Sequence, residues 1–263
     1  MKLKLLTLAA IVAGIVCSCS PKDKTDYNSL LTAQAERLNK EIKELANGSF
    51  ILLDRCGVTY ADASLNVGIE FASPVYKTAD FSDALVQYGL AQYLQGHKGP
   101  QTDEIINSLS KTEGKMTITI TDTESGTKSF DVPAARLRAL YKQKLMELNQ
   151  GEARTSAMKI LSGYCAGFAD AVNAEECSLD IVTSFAQYTF TFATAAPYAR
   201  LKQKELAARL LKTINPVLGD MGSCRLFVED MLRSFSIDGF RFMYENEKDK
   251  YTLKSALPWS SIR

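Results

Sequence analysis

Two sequence patterns recur in the same order in both halves of this chain, and this duplication limits the folds open to it. A charged amphipathic segment ends at Gly48 in the first half and at Gly151 in the second. An alternating stretch ending in phenylalanine follows each, at Ser64–Phe71 and at Ser178–Phe185. Alternation with a period of two is typical of a β-strand with one buried face. Each half therefore begins with a helix and then a strand.

A third and longer match joins residues 114–133 with residues 239–258 without a gap. Both copies begin with glycine and end with proline. In both, two alternating runs flank a polar turn, and this arrangement predicts a β-hairpin. The apolar positions are Met116, Ile118 and Ile120 in the first copy and Phe240, Phe242 and Tyr244 in the second.

Helical periodicity fills the gap between strand and hairpin in both halves. Helices are predicted from Phe81 to Gln92 and over Thr102–Leu109 in the first half, and over Leu201–Ile214 and Arg225–Phe235 in the second. The repeating unit is then helix, strand, helical pair and β-hairpin. We predict an α+β fold of two tandem related units, each an antiparallel sheet with helices on one face. The first unit is placed at residues 29–133 and the second at residues 134–263.

The N-terminus carries a pattern of a different kind. Lys2 and Lys4 precede an apolar run over Leu5–Val16, and small residues follow it up to Cys17-Ser18-Cys19. This layout is typical of a secretory signal. The run is much shorter than the roughly 20 residues that cross a bilayer as a helix, so a permanent span is not expected.

Val16-Cys17-Ser18-Cys19 resembles the lipobox of bacterial lipoproteins, in which the signal is cut just before a cysteine that carries lipid. The resemblance covers this leader only. It implies lipidation of Cys19, with Cys17 as the alternative acceptor, a signal peptide at residues 1–18 and a polar tether at residues 19–28. It also implies a place in the bacterial cell envelope facing periplasm or exterior, with the outer membrane favoured over the inner, and acyl chains such as palmitate as the anchor.

Composition narrows the class of partner. An apolar fraction of 46% and a charged fraction of 23% are ordinary for a globular protein. Without the two leader lysines, 29 basic and 30 acidic residues remain. A near-neutral body argues against nucleic acid as the partner, because phosphate binding relies on concentrated positive charge. Export permits disulfides, and the pairing among the four remaining cysteines stays open: Cys56, Cys165, Cys177 and Cys224.

No catalytic constellation is recognisable. His97 is the single histidine, and it lies among turn-forming residues in a loop, so no metal or cofactor site is predicted from it. Three adjacent carboxylate pairs occur, at Asp103-Glu104, Glu175-Glu176 and Glu229-Asp230. Glycosidase chemistry needs carboxyl groups that face each other across a cleft, which neighbours on one element do not provide. We expect Asp103-Glu104 to lie in a first helical turn, after Thr102 as its N-cap.

Two further motifs have structural interpretations. Asp122–Gly126 has the look of a calcium-loop fragment but lacks the other acidic positions, so a hairpin turn is predicted. Tyr188, Phe190 and Phe192 alternate and would share one sheet face, where packing in the core is favoured over a binding surface. Trp259 is assigned to packing at the sheet edge in the same way.

Asp80–Leu85, Gly96 and Thr102–Glu104 together resemble the helical N-terminal segment of bacterial FKBP-type prolyl isomerases. The motifs of the catalytic FKBP domain do not follow, so this resemblance carries no active residue and implies only a chaperone-like role. The sequence thus predicts a non-enzymatic envelope lipoprotein that binds a protein or small ligand at the membrane surface. The alternatives are an envelope hydrolase whose carboxylates or hydroxyls are assembled by the fold, and a periplasmic folding helper.

Overall fold

A computed structural model describes the greater part of the chain and divides it into two compact units, Met1–Ala157 and Met158–Arg263. The residues that the structure describes are 26–46, 53–72, 74–96, 98–148, 150–192, 208, 232–246 and 251–258.

The first unit contains one four-stranded sheet and most of the helices. Its order is helix, hairpin, helical pair, hairpin, and then two further helices, the second of which runs across the unit division. The elements are α1 (Tyr27–Ala46), β1 (Leu53–Ala61), β2 (Ser64–Phe71), a 3-10 turn (Thr78–Asp80), α2 (Asp83–Gly96), α3 (Pro100–Lys111), β3 (Lys115–Thr121), β4 (Thr127–Pro133), α4 (Ala134–Lys142), a second 3-10 turn (Leu145–Glu147) and α5 (Gln150–Ser162).

The strands of this sheet lie in chain order, β1-β2-β3-β4. The outer pairs β1–β2 and β3–β4 are antiparallel, whereas the central pair β2–β3 is parallel. Parallel neighbours cannot be joined by a tight turn, so the chain must cross over between them. The helices α2 and α3 make this crossover.

Alternation along the strands decides which face of the sheet is buried. Successive side chains point to opposite faces, so the apolar positions all face one side. The other face carries mostly threonine, serine and charged residues, which are exposed or half-buried except for the buried Ser64. The helices α1 and α3 contact each other, and α4 contacts α2, α3 and the last two strands. The buried strand residues are Val58, Leu65, Val67, Ile69, Phe71, Met116, Ile118, Ile120, Phe130 and Val132.

The second unit repeats the sheet. After the end of α5 come α6 (Cys165–Val172), β5 (Glu176–Val182), β6 (Phe185–Thr191), β7 (Gly239–Asn246) and β8 (Tyr251–Pro258). The order is β5-β6-β7-β8, again with antiparallel outer pairs and a parallel central pair. The buried face is aromatic, and α6 adds Phe168 to it. The buried rings of this unit are Tyr164, Phe168, Tyr188, Phe190, Phe192, Phe235, Phe240, Phe242 and Tyr244.

The α+β class and the two related units are confirmed, but the predicted repeat needs two corrections. In each unit a hairpin, and not a single strand, follows the first helices, so the predicted repeat lacks one strand. Each sheet is mixed, because its central pair is parallel. The prediction placed a helical pair between the first strand and the hairpin but not the parallel strand pairing that such a crossover allows. In the first unit, α2 and α3 form this crossover.

One predicted correspondence between the halves is also wrong. Ser64–Phe71 is β2, the second strand of its sheet, but Ser178–Phe185 covers most of β5, the first strand of the other. By position in the sheet, β2 corresponds to β6. The matched hairpins at 114–133 and 239–258 do occupy equivalent places, as β3–β4 and β7–β8. The gap-free match is nevertheless one residue out of register in their first strands, because buried Met116 corresponds in the sheet to buried Phe240 and not to Arg241.

The structure also shows where the helices assigned to the second repeat lie. The helix α4, which we assigned to the start of the second repeat, packs against α2 and α3 of the first unit. The predicted helices Leu201–Ile214 and Arg225–Phe235 lie almost wholly outside the described residues, apart from Ala208 and a helical turn at Leu232–Ser234. Among the described helices, none is both long and apolar enough to span a bilayer.

Candidate binding site

The larger of two cavities described in the first unit is an open groove of about 710 Å³ at the start of α1. Three segments meet there: the start of α1, the β1–β2 turn, and the end of α3. Its size lies in the range of small-ligand sites. The lining is mostly polar and consists of Asp26, Tyr27, Asn28, Thr32, Tyr60, Ala61, Asp62, Ala63, Lys111 and Thr112.

Asp26 forms one wall of this groove and caps α1. Its Oδ1 accepts hydrogen bonds from the backbone N–H groups of Asn28 at 3.1 Å and Ser29 at 3.3 Å, and its Oδ2 accepts one from the Ser29 hydroxyl at 2.6 Å. Aspartate is a preferred N-cap because the first N–H groups of a helix have no intrahelical acceptor. The Ser29 hydroxyl is the main cause of the lowered pKa of Asp26. The groove therefore carries a fixed negative charge on this side.

The β1–β2 turn forms the opposite wall. Asp62 and Ala63 both have positive φ, 52° and 56°, as the two central residues of the hairpin. This pairing is typical of the type I′ turn, which matches the twist of the strands. The Tyr60 hydroxyl donates a hydrogen bond to the Asn28 Oδ1 at 2.8 Å, and it joins the turn to α1. The groove is thus shaped by contacts between segments that are distant in sequence.

Lys111 lies at the third side of the groove, in the last turn of α3, and it is exposed. A cation in this position suits the partial negative charge of the helix C-terminus. With Asp26 and Asp62 on the other sides, the groove presents charges of both signs beside tyrosine and threonine hydroxyls. Such a lining suits a polar ligand or a polar protein segment.

A smaller cavity of about 210 Å³ lies between α2, α4 and the start of α5. Arg136 reaches into it, and its Nε donates a hydrogen bond to the Gln87 Oε1 at 2.8 Å. Two carboxylates, Asp83 and Glu152, complete its polar lining. The Arg136 guanidinium therefore already has a protein partner here.

The structure distributes the predicted site residues widely. Cys19, Cys17 and His97 lie outside the described residues, as do Cys224, Trp259 and the pair Glu229-Asp230. The pair Glu175-Glu176 is exposed at the start of β5. The described part of the chain holds no group of three or more histidine, cysteine or acidic residues that could bind a metal ion.

The predicted N-cap of α3 is wrong. The helix begins at Pro100 with Gly99 as its N-cap, and Thr102 is a buried residue of the first turn. Proline suits the first turn because its missing N–H would have no helical acceptor there. Asp103 is nevertheless exposed in that first turn, as its charge favours.

Asp122 explains the calcium-like motif. Its Oδ2 accepts hydrogen bonds from the backbone N–H and the hydroxyl of Thr78, each at 3.0 Å. Its Oδ1 accepts bonds from the N–H groups of Glu124 at 3.0 Å and Gly126 at 2.8 Å. These contacts lower the pKa of Asp122, with the Thr78 N–H as the largest cause. The carboxylate organises the β3–β4 turn, so the hairpin interpretation is confirmed.

The aromatic run is likewise part of a core. Tyr188, Phe190 and Phe192 are buried. They form stacked and edge contacts with Phe168, Phe242 and Tyr244, at centroid distances from 4.2 to 6.1 Å. They offer no exposed face to a ligand.

Sequence reasoning did not find the groove. Its walls come from residues 26–32, 60–63 and 111–112, and no motif links these segments. The only signal was the turn-forming Asp62 between two alternating runs. No family model, curated protein or solved structure matches this chain.

Proposed function

We propose that this chain is a lipid-anchored protein of the bacterial cell envelope that binds a polar partner, a protein segment or a small molecule, in the groove of its first unit. The observation that carries the proposal is the position of the groove. Asp26, which caps α1 and lines the groove, is the seventh residue after Cys19, the proposed acceptor of the lipid.

The distance along the chain limits how far the groove can lie from the membrane. Seven residues span at most about 25 Å when fully extended. A lipid on Cys19 would therefore hold the groove within that distance of the lipid surface. Ligands carried by the membrane, or by proteins beside it, would be within reach.

The lining supports a binding role over a hydrolytic one. Hydrolysis by carboxylates needs two of them facing across a cleft with room for substrate and water. In the groove, the Asp26 carboxylate already accepts hydrogen bonds from Asn28 and Ser29 and caps α1. The lowered pKa of Asp26 keeps it ionised, so it is unsuited to act as a general acid.

The anchor is tested by metabolic labelling with an alkyne fatty acid. We expect the wild-type chain and Cys17→Ala to take up the probe, and Cys19→Ala to lose it. Labelling that persists in Cys19→Ala and disappears in Cys17→Ala would move the acceptor. Absence of label from all three proteins would contradict the anchor.

The groove is tested with Lys111→Glu, which reverses its cation, and with Lys142→Glu as the matched control in the last turn of α4. The wild-type chain is used to capture partners from envelope extract, and the captured species is then titrated against both variants. We expect binding to fall about tenfold or more in Lys111→Glu and to persist in Lys142→Glu. Equal binding by all three proteins would contradict the groove as the contact surface. Turnover of the captured molecule would favour the hydrolase instead.

A further inference from the structure

We propose that Cys165 and Cys177 in the second unit form a reversible disulfide by exchange with a low-molecular-weight disulfide. The pairing stands on the geometry of the second unit alone. Only its oxidation inside the cell rests on the envelope location proposed above.

The fold brings the two thiols together. Cys165 is the first residue of α6, and Cys177 is the second residue of β5, the strand against which α6 packs. The two thiols are neighbours that interact with each other, and the Cys177 thiol also donates a hydrogen bond to the Ser178 carbonyl oxygen at 4.0 Å. Both are free in this structure, and both are half-buried, so a small disulfide can reach them.

The surroundings hold this arrangement in place. Tyr188 is fully buried beside the two thiols, and its hydroxyl donates a hydrogen bond of 2.9 Å to the carbonyl oxygen of Leu161 at the end of α5. Burial keeps the pKa of Tyr188 well above its usual value, so the hydroxyl stays neutral. Asn173 ends α6 in the left-handed conformation and turns the chain directly into β5. The helix that carries Cys165 is therefore fixed at both ends.

The two thiols differ in character. The hydrogen bond from Cys177 lowers the pKa of Cys165, whereas the same contact together with burial raises the pKa of Cys177. A thiolate is the attacking species in disulfide exchange. Cys165 is also the first residue of α6, where the helix N-terminus favours a thiolate, so we expect Cys165 to attack and Cys177 to resolve the intermediate.

The exchange balances in two steps. The Cys165 thiolate attacks one sulfur of the oxidant, which forms a mixed disulfide and releases one thiolate. Cys177 then loses its proton and attacks the Cys165 sulfur, which releases the second thiolate. The oxidant is reduced to two thiols, and the protein loses two protons and two electrons overall.

Cys56 provides the internal control. It lies on β1 in the first unit, half-buried, and burial raises its pKa to about 11. Its thiolate fraction at neutral pH is accordingly small. We expect Cys165 to react with iodoacetamide roughly tenfold or more faster than Cys56 in the reduced protein.

The pair is identified by mass spectrometry of the full-length protein treated with oxidised glutathione and then iodoacetamide. Trypsin leaves both thiols in one peptide, Ile160–Arg200, which contains no internal lysine or arginine. We expect this peptide to be unalkylated and lighter by two hydrogen atoms. A protease that cuts after Glu175 or Glu176 separates the two cysteines, so only a disulfide keeps the fragments joined. Dithiothreitol should separate them.

Two variants distinguish the roles of the thiols. In Cys177→Ser, the intermediate cannot be resolved, so Cys165 should retain one glutathione. In Cys165→Ser, Cys177 should remain largely unmodified. Full alkylation of both thiols after oxidation would overturn the proposal, as would a bond from either to Cys224. A pair that forms in the test tube but stays reduced in protein isolated from cells would support the pairing and count against the envelope location.

Discussion

The two units share one sheet topology and fill it with different side chains. The buried face of the first sheet is mostly aliphatic, with Ile118 and Ile120 at the centre of β3. In the second sheet, Phe242 and Tyr244 stand on the equivalent strand. Alternation decides which face of a strand is buried, while the shape of each side chain decides only how that face is packed. The comparison shows that the same strand order is compatible with a mostly aliphatic core and with a mostly aromatic one.

The outer faces of the sheets differ as well. On the first sheet, the polar side chains satisfy one another: Asp131 accepts hydrogen bonds from Lys115 at 2.6 Å and from Thr117 at 2.7 Å. On the second sheet, Gln187 is only 5% exposed, and its Oε1 has no hydrogen-bond partner within the described part of the chain. The Gln187 Nε2 nevertheless donates a hydrogen bond to the Thr189 Oγ1 at 3.3 Å. Both outer faces therefore hold polar pairs, but that of the second sheet also buries an amide oxygen without a described partner.

The largest expected effect comes from the aromatic core of the second unit. Phe168 is fully buried and contacts Tyr188 at 4.7 Å and Phe242 at 5.7 Å between ring centroids. We expect Phe168→Ala to lower the free energy of unfolding by about 3–5 kcal/mol, because it leaves a cavity among rings that cannot close it. Hydrogen exchange with mass spectrometry should place the loss in the second unit.

The control for this variant is Phe185→Ala. Phe185 is half-buried, and the Arg241 guanidinium lies over its ring at 4.8 Å. Its loss should cost about 1 kcal/mol. Equal losses in the two variants would contradict the aromatic cluster as the source of stability in this unit.

The next largest effect is expected at Gly114, where the start of β3 lies against the β1–β2 turn. Gly114 precedes β3, and a Cβ at this position would collide with the backbone oxygen of Ala63 in the β1–β2 turn. That oxygen accepts the hydrogen bond from Lys115 N–H at 3.0 Å. We expect Gly114→Ala to destabilise the first unit by about 2–4 kcal/mol, measured by urea unfolding.

Gly96→Ala is the matched control, because a Cβ there meets no atom within 4 Å. We expect its urea midpoint to equal or slightly exceed that of the wild type. A tolerated alanine at position 114 would show that the β1–β2 turn can move away from β3.

A smaller effect, and a gain, is expected at the equivalent turns of the two sheets. Thr183 has φ of 60° in the β5–β6 turn, where a β-branched side chain is strained, and Ala63 has φ of 56° in the β1–β2 turn. Replacement of either residue by glycine relieves backbone strain in the folded state. It also increases the conformational entropy of the unfolded chain, which offsets part of the gain in stability. We expect Thr183→Gly to stabilise by about 0.5–1 kcal/mol and Ala63→Gly by less. The melting temperatures of the two variants measure this difference, and a lower melting temperature for Thr183→Gly would contradict it.

The smallest effect is the response of the first unit to acid. Asp26, Asp122 and Asp131 have lowered pKa values, and all three lie in the first unit. A carboxyl group with a lowered pKa contributes stability above its unfolded pKa and loses it as the pH falls through the folded value. We expect the urea midpoint of the wild type to decrease as the pH is lowered below about 4. In Asp122→Asn this decline should be shallower, and an unchanged decline would remove Asp122 from the account.

The fold was predictable from the sequence where neighbouring residues decide it. The hairpin at 114–133 follows from alternation around a polar turn. The missed strand β1 shows the limit, because Cys56, Val58 and Tyr60 face the core while a glycine and polar residues face out, and this weak pattern did not suggest a strand. The parallel pairing of β2 with β3 was not predicted, because it depends on how α2 and α3, which connect the two strands along the chain, are packed.

The candidate sites were less predictable than the fold. Asn28 and Tyr60 meet in the groove although they are 32 positions apart in the chain. The contact between Cys165 and Cys177 depends on the packing of α6 on β5. No local pattern encodes either contact.

The sequence by itself determined what period and composition control: two related α+β units, their second hairpins, and a leader whose pattern predicts export. These depend on residues a few positions apart, where backbone geometry leaves few choices. Only the tertiary structure decided the parallel centre of each sheet, the polar groove and the paired thiols. Each of these depends on contacts between segments that are distant in the chain, and the packing of the apolar faces of helices and strands decides which distant segments meet.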